Sequence, residues 1–426
     1  MFKNIIEAFK IKEVRRKIWL TLAILLVYRI GCWIPTPGIE LGAFSSSVGG
    51  NDFLGIISGI SGNALSNGAL LALGVLPYIN ASIIMQLLTI AIPKLERLAR
   101  HGGDEGRKKI TFYTRIAALV LALAQSIGIV VSFGSGMLDT SAIGNATIVG
   151  IIVVLMLTAG AMFTVWLGEK ITAIGIGNGQ SLLIFVGILS TAATAIANEI
   201  AQVVDNIDRI WTFGVFLVAV VLIFGFIVLI DLAERRVPVQ YAKQIKGRKM
   251  YGGQSTFIPI KINSSGVMPI IFAMAIISFP QLIYSMVAGN AGGYPSYLAM
   301  GGWLYTIIVA LLILFFSYFY SQATFNPVDV SRRIQQNGGF IPGIRAGQPT
   351  AEYLAKISRR ITLFGAIFLA TIALIPALVF GFVGGGSSIV NAFSATGLII
   401  VVSVALEFNK QLEAQLLMRN YKGFLK

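Results

Sequence analysis

Only one histidine and one cysteine occur among the 426 residues, His101 and Cys32. Imidazole and thiolate groups are the ligands from which most zinc sites are built, and a disulfide needs two cysteines. The sequence therefore predicts no internal disulfide, no metal site and no cofactor.

Two glycine-rich turns have the composition of loops that bind phosphate or other charged groups. The first, GIGNG at 175–179, has no predicted strand before it and no Walker lysine after it. The second, HGGDEG at 101–106, has no partner histidine elsewhere in the chain. We interpret the first turn as the end of one helix and the start of the next. Neither turn supports catalysis, so an enzyme is not expected.

Charged residues inside apolar stretches are the remaining source of chemistry, because coupled transport of ions or protons needs them within the membrane. The chain has four, each towards one end of its stretch: Arg29, Arg115, Asp231 and Glu407. We expect these side chains to reach the interface or to pair. A secondary transporter needs a buried charged site and an intramembrane enzyme needs paired catalytic residues, so both classes are disfavoured.

The elements that carry these residues are set by composition. Hydrophobic residues make up 56% of the chain and charged residues 12%, and the mean hydropathy of +0.81 is that of a membrane protein. A helix crosses the hydrocarbon in about 20 residues. Ten stretches predict an all-α polytopic membrane protein, with spans at 18–34, 75–92, 111–133, 148–168, 179–197, 211–232, 267–287, 303–322, 362–381 and 389–408.

The positive charge lies almost entirely on one side of these spans. Lys and Arg fill the N-terminus, the alternate loops 93–110, 233–266 and 323–361, and the tail after 408, whereas the intervening loops hold only Arg209. The positive-inside rule then places both termini and the long loops in the cytoplasm. The net charge of +15 is expected to face cytoplasmic partners and anionic lipid, without nucleic acid being required.

Two of the cytoplasmic loops are long and patterned. In the first, apolar and β-branched residues around Gly252 and Gly253 predict a short hairpin within Lys249–Ile262. In the second, Asn326 and Pro327 predict a helix that Gly338 ends. We interpret the loops as ordered docking surfaces, and solvated linkers are the alternative.

The segment Val48–Leu73 is uncharged except for Asp52 and is rich in Gly, Ser and Asn. Irregular backbone at membrane depth is stable only where protein buries it or a cavity holds it. We therefore expect a short re-entrant helix folded into the bundle, with a plain external loop as the alternative. The ten spans also divide into two sets of five, which predicts inverted halves at 1–205 and 206–426.

Two isoleucine pairs have the spacing of one helical face, Ile79 with Ile83 and Ile184 with Ile188. Periodicity alone assigns such stripes to the core or to a lipid-facing surface. A hydrophobic constriction of a channel has the same pattern. Spacing does not separate these readings.

Four longer runs carry a resemblance to a known family. They are LGVLPYINASIIMQLL at 73–88, GIGNGQS at 175–181, QSTFIPIKINSSGVMP at 254–269 and NPVDVSRRIQQNGGFIPGIRAG at 326–347. Together they resemble SecY, the channel subunit of bacterial protein translocons, in the right order and through essentially the whole chain. The length and short tail resemble the family members of Bacillus-like bacteria.

The resemblance implies a ten-helix clamshell of two inverted halves around an hourglass pore, in the bacterial cell membrane. It also implies an external plug at about 53–68, with Phe53, Leu54, Ile56, Ile57, Ile60 and Leu65 as its apolar residues. The family's apolar pore ring maps onto Ile79, Ile83, Ile184, Ile188, Ile271 and Ile400.

A lateral gate between spans two and seven is implied as well, carrying Ile83, Gln86 and Ile271. Gln86 is expected to form a hydrogen bond across this gate. The two basic loops are then expected to dock the motor ATPase SecA or the ribosome through Arg345 and, less directly, Arg248. The implied membrane partners are SecE and SecG. The channel would be passive, passing unfolded polypeptides across the membrane and releasing apolar segments sideways into lipid.

Overall fold

The structure is a computed structural model, and most of the chain in it is helical. It describes residues 2–40, 58–59, 61–133, 138–139, 144–205, 210–241, 244–246, 249–251, 255–263, 266, 268–288, 295, 303–383 and 395–423. The predicted plug residues 53–57 and 60, together with Arg248, lie outside these ranges.

In the described part of the chain, seven helices precede residue 206. They are α1 (Phe2–Lys10), α2 (Lys12–Gly31), α3 (Leu76–Ala91), α4 (Pro93–His101), α5 (Gly103–Phe133), α6 (Ala146–Ile174) and α7 (Gly179–Asp205). The later helices are α8 (Ile210–Leu232), α9 (Met268–Ala288), α10 (Trp303–Thr324), α11 (Pro327–Gln336), α12 (Gln348–Val383) and α13 (Ala395–Gly423). Each predicted span coincides with one of these helices.

Hydropathy and length show which of these helices could cross a membrane. Within the described residues five helices are long and apolar enough to cross a membrane, and a sixth span is formed if α3 and α4, which meet at 108°, are counted together. The most apolar is α8, whose exposed Val221 and Leu222 side chains suit contact with lipid. In α2 the basic residues of the first turns lower the mean hydropathy, although its second half is apolar. The structure is thus a polytopic membrane bundle.

The turn between α6 and α7 has the role that its glycines predict. Helix α6 ends at Ile174 with Gly175 as its cap, and Gly177 has a left-handed φ of +93°. The amide of Gly179 donates to the hydroxyl of Thr172 at 2.9 Å, at the start of α7. A Cβ on Gly179 would collide with the carbonyl oxygen of Gly168, so the two helices approach closely only because this residue is glycine.

Residues 58–59 and 61–75, which we call the inner segment, lie between α2 and α3. Ala64, Leu65 and Ala69 are fully buried, so this part of the chain is folded into the bundle and is not a plain external loop. Residues 61–75 form mainly successive turns. A short helix was expected within Val48–Leu73, of which residues 48–57 and 60 lie outside the described ranges. In the described part, helix occurs only at 58–59 and 61.

The two long basic loops form one small domain, which we call the loop domain. Strand β1 (Glu234–Tyr241) pairs antiparallel with β4 (Ser255–Lys261) and with β5 (Gly339–Phe340), which comes from the second loop. Strands β2 (Gln244–Lys246) and β3 (Lys249–Tyr251) pair with each other. The predicted hairpin within Lys249–Ile262 is therefore wrong in its pairing, because β4 joins β1 in a longer register and β3 joins β2.

The second loop matches its prediction closely. The side chain of Asn326 caps α11 by accepting a hydrogen bond from the Val328 amide at 3.1 Å. Beyond the end of α11, Gly338 has a φ of +69°, which favours glycine. The inner face of the sheet packs on α11 and the start of α12 in a core that includes Val237, Val239, Ile260, Ile334, Ile341 and Leu354. The loops are ordered rather than solvated linkers.

Candidate functional site

The six isoleucines singled out by the family resemblance come together in one apolar cluster, which we call the central cluster. Ile79 and Ile83 lie on α3, Ile184 and Ile188 on α7, Ile271 on α9 and Ile400 on α13. Five of them are no more than 8% exposed, and Ile271 is half-buried. The i, i+4 spacing on α3 and α7 turns each pair to the same side of its helix.

The central cluster contains residues from before and after residue 206. It includes Leu25 and Tyr28 of α2 together with Phe316 and Phe272, whose rings meet edge to face at 5.5 Å between centroids. A separate cluster contains only residues from the first part of the chain, and another contains mainly residues from the second part. The central cluster therefore lies where the two parts of the bundle meet.

The inner segment borders this cluster. Ala64, Ala69 and Leu71 belong to it, whereas Leu65 packs with Leu157 in the neighbouring cluster of the first part of the chain. The other predicted plug residues, Phe53, Leu54, Ile56, Ile57 and Ile60, lie outside the described residues.

The predicted lateral gate joins two helices that are in contact. Helix α9 touches α3 and packs along α5, and Ile83 and Ile271 share the central cluster. Gln86 is exposed, and in the described part of the chain its side chain makes no hydrogen bond to another helix. Among the described side chains the hydrogen bond expected across the gate is not formed, and the side chains of much of the second half of α9 lie outside the description.

Polar contacts between the inner segment and α7 were missed by the sequence reasoning. The guanidinium of Arg29 donates to the Gly62 carbonyl at 3.3 Å and to the Ser190 hydroxyl at 2.5 Å. Thr191 donates to the Gly59 carbonyl at 2.8 Å. The available signal was the run of hydroxyl residues on one side of span five.

The other charged residues of the apolar stretches pair or accept hydrogen bonds, as expected. Arg115 of α5 forms an ion pair with Glu169 of α6 at 2.7 Å. Near the ends of α8 and of predicted span ten, Asp231 accepts a hydrogen bond from Asn263 at 3.0 Å, and Glu407 accepts one from Gln411 at 3.2 Å.

Lys410, just beyond predicted span ten, has a pKa below its ordinary value. Burial is the main cause, and the neighbouring Lys261 adds to it by hydrogen bonding and by charge repulsion. Asp231 and Glu234 act in the opposite direction. The positive charge of this amine is thus less favourable at the junction of α8, β4 and α13 than it is in water.

Arg345 is exposed on a turn that is held by its neighbours. The Arg345 carbonyl accepts a 2.8 Å hydrogen bond from Thr350, and the Gly347 carbonyl accepts a 2.6 Å hydrogen bond from Ser331 on α11. Ile344, next to Arg345, packs against the core of the loop domain. The guanidinium is therefore presented to solvent from a fixed backbone. Arg248 lies outside the described residues.

The described residues contain no cluster of metal-binding side chains. Within the described ranges there is no group of three or more His, Cys, Asp or Glu residues that could hold an ion. Cys32 is a buried free thiol.

The helical bundle encloses the inner segment and the apolar central cluster. This arrangement defines the class: a polytopic membrane protein with the fold of protein-conducting channels. One solved structure, described as that of a protein conducting channel, matches with a TM-score of 0.65 at 20% identity, over 93% of this chain and 91% of that one. A SecY structure concerned with a plug domain that stabilises the closed channel and maintains a membrane seal matches at 0.63 and 21% identity, with the same coverage. Sec61 in a canine ribosome-channel complex matches at 0.63 and 18% identity, again over 93% and 91%.

The sequence model of the SecY family matches residues 69–409. The protein translocase subunit SecY of Streptomyces galbus is 41% identical over 99% of both chains, and that of Mycobacterium leprae is 41% identical over 100% of both. The chain belongs to the SecY family. These relatives come from actinobacteria, so the comparisons do not support the Bacillus-like source suggested by the length and tail.

Proposed function

We propose that this protein is the channel subunit of a Sec protein translocase, a passive pore for unfolded polypeptides. The observation that carries the proposal is the convergence of six isoleucines from four helices in one cluster beside a buried inner segment. The full-length similarity to SecY translocase subunits supports the same function. The proposed channel carries no catalytic group of its own.

The chemistry of isoleucine fits this task. A collar of flexible side chains that form no hydrogen bonds can close around an extended polypeptide of any sequence without binding it tightly. An empty collar of this kind excludes water and ions by dewetting. Ile79, Ile83, Ile184, Ile188, Ile271 and Ile400 are the proposed collar, and the inner segment with the preceding residues is the proposed plug.

Apolar stretches of a substrate would leave sideways between α3 and α9. About 20 apolar residues are more stable in lipid than in a watery pore, because burial contributes roughly 25 cal/mol per Å². The contact between these helices is small, which suits a seam that opens. Ile83 and Ile271 lie beside the contact between α3 and α9, and the Gln86 side chain is exposed.

The proposed halves are residues 1–205 and 206–426, pivoting about the central cluster. Both termini and the loop domain are proposed to lie in the cytoplasm of a bacterium, because they carry the basic residues. The membrane would be the cell membrane, with anionic lipid facing the same basic surface.

The proposed partners follow from this orientation. SecE and SecG would pack against the lipid-facing helices, and SecA or the ribosome would bind the loop domain. Arg345 is the proposed contact, since it is exposed on a fixed turn, and Arg248 is a second one from its place in the basic loop. The Sec61 structure with a ribosome supports ribosome binding by analogy of fold.

The test is conductance across a sealed bilayer. Replacing Ile83, Ile184 and Ile271 together by Gly removes three members of the collar, and we expect an ion leak in the absence of substrate. The matched control replaces three exposed isoleucines by Gly, Ile116, Ile151 and Ile307, which are 47–56% exposed on other helices. Equal conductance of the two triple variants would contradict the channel assignment.

A further inference from the structure

One face of α7 changes from apolar to polar along its length. Ile184 and Ile188 belong to the central cluster. Gly187 lies between them in the chain, and Ser190, Thr191 and Thr194 follow it at i+3, i+4 and i+7, which places these four residues on one side of the helix. The inner segment lies against this polar part.

Two side chains of this part of α7 reach the inner segment. The Thr191 hydroxyl, which is buried, donates to the Gly59 carbonyl at 2.8 Å. The Thr194 hydroxyl accepts a hydrogen bond from the Asn63 amide group at 3.1 Å. Asn63 itself has a φ of 65°, a conformation that non-glycine residues rarely adopt, and its side-chain bond helps to hold it there.

Arg29 joins the two elements directly. Its guanidinium lies between the Gly62 carbonyl at 3.3 Å and the Ser190 hydroxyl at 2.5 Å. Gly62 has a φ of +73°, and a Cβ there would meet the guanidinium and would come within 3.0 Å of the Gly187 carbonyl oxygen. The close approach of the inner segment to α7 therefore depends on glycine at position 62.

These contacts differ in kind from the apolar cluster next to them. Bonds to water replace these hydrogen bonds when the site becomes wet, so breaking each one shifts the equilibrium by only about threefold to hundredfold, whereas apolar side chains lose their packing without replacement. A contact made of hydrogen bonds can therefore hold the segment in a dry bundle and release it when water or a polypeptide enters.

We propose that Arg29, Ser190, Thr191 and Thr194 form a polar latch on the inner segment, and that its strength sets how readily the segment leaves α7 when the channel opens. This inference rests on the proposed function as a channel. Arg29 is a positioning residue in it, since it acts on the pore through the segment that it holds.

The experiment measures release of the segment directly. Ser61 is 2% exposed, and Ser61→Cys in a Cys32→Ala background places one thiol in the inner segment with little change of volume. The full-length chain, with its partner subunits, is reconstituted into vesicles and labelled with a water-soluble maleimide. Because a hydrogen bond from a charged donor shifts an equilibrium by roughly tenfold to hundredfold, we expect labelling at least about tenfold faster in Arg29→Met.

Two further variants keep the test independent of folding defects. Thr191→Val removes one neutral bond and is expected to speed labelling by roughly threefold to tenfold. Arg29→Lys is expected to give an intermediate rate, because an ammonium does not span both acceptors as a guanidinium does. The control is Thr164→Val, whose buried hydroxyl bonds only to the Gly160 carbonyl of its own helix, at 2.9 Å. Its labelling rate should equal that of the parent protein.

The outcomes separate the two proposals. Equal labelling rates in the parent, Arg29→Met, Thr191→Val and Thr164→Val proteins would overturn the latch. Polypeptide transport is measured in the same vesicles with an unfolded secretory substrate. Failure of the parent protein to transport it counts against the proposed function, whereas the labelling rates decide the latch.

Discussion

The hydroxyl of Ser331 on α11 lies 2.6 Å from the carbonyl oxygen of Gly347 and donates a hydrogen bond to it. This bond joins the short helix α11 to the turn that carries Arg345. The opposite side of the turn is held through Thr350, which bonds to the Arg345 carbonyl at 2.8 Å. An exposed arginine on a backbone held in this way loses little conformational freedom on binding a partner.

Arg345→Ala is expected to lower motor-driven polypeptide transport about tenfold or more, because a charged hydrogen bond to the partner is lost. Ser331→Ala keeps the guanidinium but frees the turn, and we expect a smaller loss. Arg333→Ala, an exposed arginine on α11, is the matched control and should transport normally. ATP-dependent protection of a secretory substrate in vesicles measures all three, and an equal loss in the control would contradict the role of Arg345.

Gly179→Ala is expected to destabilise the protein by about 1–3 kcal/mol, the usual cost of overpacking. The new methyl group would meet the Gly168 carbonyl oxygen and would lie 2.7 Å from the Ile171 Cβ. Gly214→Ala in α8 is the control, since a Cβ there meets nothing within 4 Å and alanine favours the helix. Thermal midpoints of the purified proteins should fall for the first and hold or rise for the second.

Removing Arg115 is expected to leave Glu169 without its partner between α5 and α6. We expect Arg115→Met to lower stability more than the double change with Glu169→Gln, with a coupling on the order of 1 kcal/mol. Chemical denaturation of the four proteins in a double-mutant cycle gives this coupling. Strictly additive effects would show that the 2.7 Å ion pair contributes nothing to stability.

Lys410 links stability to pH. Because burial and Lys261 hold its folded-state pKa below the ordinary value of 10.5, the unfolded chain binds more protons in the alkaline window just below that value. Stability from this group therefore rises with pH through that window. Lys410→Gln should flatten this part of the profile, measured as thermal midpoint against pH. A parallel profile for the two proteins would contradict the burial of the charge.

Local patterns predicted local structure well. Each of the ten predicted spans coincides with a helix, and Asn326 and Gly338 mark the two ends of α11 as expected. These features depend on hydropathy and on capping chemistry within a few residues. In the first loop β3 and β4 fall within the predicted hairpin, whereas β1 and β2 were not predicted, and β4 pairs with β1 rather than with the nearby β3. Local spacing does not encode that choice.

The site was less accessible to sequence reasoning. Ile79 and Ile184 look like any core residues by periodicity, and the family resemblance was needed to select them. The bond between Arg29 and Ser190 joins residues 161 positions apart. Neither residue has a local signal for the other, although the small polar residues on one face of span five do indicate a polar contact.

The pairing of β5 with β1 has a mechanical consequence. Strand β1 continues directly from α8, β4 leads into α9, and β5 lies between α10 and α12. Four long helices, α8, α9, α10 and α12, are thus connected at one end to a single small sheet. A force applied to either loop is transmitted to all four helices, so a partner that binds this sheet at one point tilts them together.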